Sequence, residues 1–161
     1  MARMGDVFLR TTWAFQTVVA SPVFFGMGYG AVAKIFANNR DRFYDLWADF
    51  FCAFLAAAII FVVLVQVQLP FRKTAKRTTL GFEGVKAGLA SGLWLWMFLD
   101  ACFGPATRSG ILLIPEQRFQ MVGICAFLLF TLFYPTVVYM ALEVRRDRVE
   151  LGGEQEALLP E

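Results

Sequence analysis

Residues 80–103, LGFEGVKAGLASGLWLWMFLDACF, decide how often this chain is read as crossing a membrane. After Lys86 only 13 residues pass before the next charge, Asp100. That is short of the ~20 apolar residues a spanning helix needs. The full 24 residues are long enough if Glu83 and Lys86 sit in the near interface, paired three residues apart on one helical face. Lys86 then snorkels its ammonium towards water, and Asp100 falls in the last turn before Gly104-Pro105. On this reading the stretch is a third span among four.

The other three spans follow from gaps between charges. There are 23 uncharged residues between Arg10 and Lys34, 22 between Asp49 and Arg72, and 24 between Arg118 and Glu143. The expected fold is therefore an all-α integral membrane bundle of four transmembrane helices, at about 11–33, 50–71, 80–103 and 119–142. Residues 1–142 form the membrane domain and 143–161 a polar C-terminal tail, interrupted at Gly152-Gly153. Arg3, Arg10, Arg72, Lys73, Lys76, Arg77, Lys86, Arg145, Arg146 and Arg148 share one side. Lys34, Arg40, Arg42, Arg108 and Arg118 take the other. The positive-inside rule then places both termini on the cytosolic or matrix side. The first apolar run exceeds the ~7–15 residues of a signal-peptide core and no A-x-A site follows it, so it reads as a retained span.

Composition narrows the chemistry. The chain has 161 residues, 58% apolar and 17% charged, with 18 Phe and no His. A soluble domain is ~25% charged. Without His there is no His-based triad, proton shuttle or His-ligated metal. Cys52, Cys102 and Cys125 form no CxxC and read as apolar packing residues, with a Cys102 disulfide as the alternative. No cofactor, metal or catalytic residue is expected, and nucleic-acid binding is not supported by the charge pattern.

The residues left as candidates are of four kinds. Arg72, Lys73, Lys76 and Arg77 crowd beside a span, where they suit anionic lipid such as cardiolipin, or satisfy the positive-inside rule alone. Gly26 and Gly30, and Gly84, Gly88 and Gly92, recur at steps of four and mark close helix packing, inside the bundle or against another subunit. Asp100 is the candidate ion or proton site, with an interfacial, water-reached acid as the plainer reading. Asp41, Asp45 and Asp49 form an acidic stripe at a helix start, either solvated or facing a basic partner. Leu158 and Leu159 follow Glu154 in the acidic-dileucine spacing, or else pack on a neighbour.

These features favour a non-catalytic accessory subunit of a multi-subunit membrane complex. An energy-transducing complex of the mitochondrial inner membrane is the preferred setting. Its partners would be other membrane subunits and anionic lipids. The alternatives are an endomembrane or lysosomal four-span protein routed by its dileucine, and a small oligomeric transporter built around Asp100.

Overall fold

The computed structural model describes residues 4–36, 43–68, 76–104 and 115–157. It is all helix: α1 (Met4–Phe36), α2 (Phe43–Gln68), α3 (Lys76–Phe103), α4 (Pro115–Leu128) and α5 (Tyr134–Ala157). A π-helical turn, Leu129–Phe133, joins α4 to α5, so the last two segments make one long interrupted helix. Four helical rods result. α1 packs chiefly on α2, while α3 lies between α2 and the α4–π–α5 rod.

The four-span expectation is corrected by this structure. Three segments are long and apolar enough to cross a membrane: Val7–Phe36, Phe43–Gln68 and Phe119–Val149. These make the chain an integral, multi-pass membrane protein. α3 has the length, at 28 residues, but not the composition. It carries Lys76, Arg77, Glu83, Lys86 and Asp100, too many charges for a hydrocarbon-facing helix. The even number of crossings on which the same-side placement of the termini rested goes with it.

Two irregularities are absorbed without breaking a helix. Pro22 lies inside α1, which continues through it. Pro135 has no N–H to donate, and the π turn directly precedes it. There the Tyr134 N–H reaches back to the Leu129 carbonyl, one residue further than in an α-helix. The expected break at Gly152-Gly153 is also not seen, because α5 runs on to Ala157. Glycine costs a helix only ~1 kcal/mol per residue against Ala, which weakens it without forbidding it.

Two apolar clusters hold the rods together. One joins Ala20, Ile59, Ala87, Ala90, Leu129 and Phe133. The other joins Leu9, Trp13, Val63 and Met140, with Leu80 and Tyr139 against it. Between them lies a layer of polar side chains that composition alone does not announce.

Candidate functional site

Glu83 and Lys86 lie on the same face of α3, as their spacing requires, and their charged groups meet at 2.7 Å. Their expected position in the interface is not what is found. Lys86 is 0% and Glu83 1% exposed, so the lysine does not snorkel. Both side chains point into the bundle, where three other elements meet them.

α1 contributes two residues one turn apart. Trp13 donates its indole Nε1–H to Glu83 Oε1 at 2.7 Å. Gln16 accepts Lys86 Nζ at Oε1, 2.8 Å. The Lys86 ammonium also sits 5.3 Å from the centre of the Trp13 ring, in cation–π range. α2 contributes Gln66, whose Nε2 donates to Glu83 Oε1 at 3.2 Å. The π turn contributes a backbone carbonyl, with Gln16 Nε2 donating to Leu132 O at 3.0 Å. Every rod of the bundle is thus tied to one node.

The node is uneven. Glu83 Oε1 accepts from Trp13, Gln66 and Lys86, whereas Glu83 Oε2 and Gln66 Oε1 are buried without a hydrogen-bond partner among the described residues. A buried acceptor left unmade costs ~1–3 kcal/mol. Beside the node a cavity of ≈ 340 Å³ opens between α1 and α2, lined by Arg10, Trp13, Thr17, Gln66 and neighbouring aliphatic groups.

The residues singled out from sequence are placed as follows. Asp100 is buried rather than reached by water, at 6% exposure, and accepts a hydrogen bond from the Tyr44 hydroxyl at 2.9 Å. Asp45 and Asp49 are likewise buried, and Asp49 pairs with Lys34 across α1 and α2 at 2.5 Å. The acidic stripe is therefore turned inward where it is described, because a cation at the end of α1 draws it there. Asp41 lies outside the described residues, as do Arg72, Lys73, Leu158 and Leu159.

Lys76 is held by Asp147 at 2.9 Å and Glu143 at 3.3 Å. Its hydrogen bond to the Asp147 carboxylate leads in raising its pKa above the ordinary lysine value, with Glu143 adding to it. With Tyr139, Arg145 and Arg146 it lines a second cavity, of ≈ 890 Å³, at this end of the bundle. Arg77 is exposed.

The two glycine sets part company. Gly30 faces α2, and a methyl placed on it would stand 2.9 Å from Asp49 Oδ2. Gly26 is half-buried. Gly84, Gly88 and Gly92 have nothing within 4 Å of such a methyl, and Gly84 and Gly88 are exposed. The α3 stripe therefore faces out of the bundle. Among the described residues Cys52, Cys102 and Cys125 form no disulfide.

Trp13, Gln16 and Gln66 are the functional residues that sequence reading did not assemble. The signal was their depth. Gln16 is six residues past Arg10, Gln66 six before Arg72, and Lys86 six past Leu80. Comparison with known protein families, with curated proteins and with solved structures finds no match to this chain.

Proposed function

We propose that this chain is a non-catalytic structural subunit of a larger integral membrane assembly, joined to its neighbours through the outer face of α3. The observation that carries this reading is the outward stripe of Gly84, Gly88 and Gly92. Small residues at steps of four let helix backbones approach closely in a membrane. Among the described residues, no helix of the protein fills the groove they make.

Two features support the same reading. The charges of α3 at Glu83, Lys86 and Asp100 are spent on internal contacts, which leaves its outer face to small and apolar groups. α2 in turn presents Phe43, Trp47, Phe50, Phe54 and Phe61 on one exposed face. Phe43, Trp47 and Phe50 are ordered edge to face, with ring centres 6.1 and 6.2 Å apart. The finer setting is an energy-transducing complex of the mitochondrial inner membrane, with cardiolipin at the cations around Lys76 and Arg77.

Mild-detergent solubilisation followed by native gel electrophoresis tests the reading. The chain is expected in a large band, and comigration with a respiratory or ATP-synthase complex supports the mitochondrial setting. A species the size of a monomer or small oligomer overturns the subunit assignment.

A further inference from the structure

The two unpartnered oxygens of the buried node are not scattered. They are the second oxygen of the Glu83 carboxylate and the oxygen of the Gln66 amide, and the other halves of those same groups already face each other, Nε2 to Oε1 at 3.2 Å. A carboxylic acid and a primary amide pair through two parallel hydrogen bonds, N–H to carbonyl oxygen and O–H to amide oxygen. The first of these bonds is in place. The atoms that would make the second, Glu83 Oε2 and Gln66 Oε1, are the two acceptors of these groups that no donor meets. Both oxygens are fully enclosed, so no water-sized void beside them supplies the missing donor. A proton needs no such void.

We propose that Glu83 and Gln66 form a proton-binding site inside the bundle, in which a proton taken up at Glu83 Oε2 is donated to Gln66 Oε1 and closes a cyclic acid–amide pair. The proton comes from hydronium in the surrounding water: its O–H bond there breaks, an O–H bond at Glu83 Oε2 forms, and a neutral water molecule is released. Trp13 Nε1 and Gln66 Nε2 continue to donate to Glu83 Oε1, which becomes the acid's carbonyl oxygen. Lys86 keeps Gln16 and the Trp13 ring. What changes is the force between Glu83 and Lys86, from ion against ion to ion against dipole. Proton binding therefore weakens an ion pair within α3 and adds a hydrogen bond between α3 and α2.

The surroundings suit an exchangeable proton. Gln66 and Trp13 line the ≈ 340 Å³ cavity and also bond Glu83, so one amide and one indole form the wall between them. The charged and titratable groups nearest Glu83 are few. Lys86 shares its helix, and Arg10 lines the cavity from α1. The ionisable residues of α2, Tyr44, Asp45, Asp49 and Cys52, all precede position 53, far from Gln66, and the π turn offers the Leu132 carbonyl. α5 brings Tyr139 to the apolar cluster below and Glu143 to Lys76. Among the described residues Glu83 is thus the one carboxylate at this level, with Lys86 against it and Arg10 on the cavity wall.

The test is isotope-edited infrared difference spectroscopy of the full chain in phosphatidylcholine vesicles, stepped through pH with labelled glutamate. The expected result is a protonated-carboxyl stretch that grows as pH falls and is lost in Glu83→Gln, whose amide fixes the paired geometry without a titratable proton. In Gln66→Met the same stretch moves to higher frequency, because the acid loses its hydrogen-bond acceptor. A stretch that survives in Glu83→Gln, or does not shift in Gln66→Met, or never appears while the chain is folded, overturns the proposal. Should Glu83→Gln not fold, the Gln66→Met shift decides alone.

Discussion

Replacing Lys86 with Met should be the most damaging single change in this protein, and the structure says roughly by how much. Met matches the length of the lysine stem but removes the charge from a position with 0% exposure. Glu83 is left as a buried anion with one oxygen already unpartnered. Removing one member of a buried ion pair costs ~3–5 kcal/mol, mostly from the charge left behind. The charge-assisted bond that Lys86 donates to Gln16 is the smaller loss, ~1.5–3 kcal/mol. The charge term therefore dominates, and a second substitution that removes the stranded charge should recover much of the loss. Glu83→Gln combined with Lys86→Met keeps an acceptor for Trp13 and Gln66 and leaves mainly Gln16 Oε1 unpaired, at ~1–3 kcal/mol. The double variant is thus expected to be more stable than the single by ~2 kcal/mol, on the order of thirtyfold in the unfolding equilibrium. Reversible unfolding in mixed micelles, followed by the near-ultraviolet signal of the tryptophans, reads both. A single variant within ~1 kcal/mol of wild type, or a double variant worse than the single, refutes the electrostatic account of the node.

Other expectations follow from the same geometry. Gly88→Leu fills open space outside the bundle, so the unfolding midpoint should hold or rise slightly, while the chain falls out of its native-gel complex; loss of fold instead places the stripe inside the bundle. Gly30→Ala pushes its methyl against Asp49 and should destabilise by ~1–3 kcal/mol, with faster amide exchange at the α1–α2 end. Tyr44→Phe leaves Asp100 without its hydroxyl donor and should cost ~1.5–3 kcal/mol, the range for a hydrogen bond to a charged group, in the same unfolding assay. Lys76 has a raised pKa in the folded chain, so its contribution is complete below the ordinary value of 10.5 and is lost as pH rises through the elevated one. Because the pair is partly exposed, the effect is small and weakens with salt, which a Lys76 NMR titration at two ionic strengths would show.

Much of the architecture was open to reading from charge spacing alone. The uncharged runs after Arg10, Asp49 and Arg118 mark three membrane-crossing helices because hydrocarbon tolerates no unpaired charge, and those gaps are a direct imprint of the solvent. Residues 80–103 were not legible in the same way. A hydropathy pattern reports how many charges a helix carries and is silent on which way they face. Glu83 and Lys86 at the near end of a short apolar run look interfacial when lipid is the only imagined neighbour. They become interior residues once Gln16 on α1 and Gln66 on α2 stand at the same depth. The partners lie 70 and 17 residues away in sequence, so no local pattern contains them. The same holds for Asp49, which reads as a helix-start acid until Lys34 is seen across from it.

That inversion bears on how α3 works within the protein. A helix with Glu83, Lys86 and Asp100 cannot turn its charged face to lipid, so it must turn it to other helices, and its remaining face is then determined by exclusion. Here that face carries Gly84 and Gly88, which offer the least apolar side-chain area of any residue and gain little from contact with acyl chains. The same face runs on into Leu95 and Leu99, both exposed, so glycine and leucine together make one small-to-apolar surface there. α3 is well suited to lie between two protein surfaces. The node supplies one of them, through Trp13, Gln16, Gln66 and Leu132. The second would be the partner proposed above, seated along Gly84 and Gly88, where a methyl meets no described atom within 4 Å.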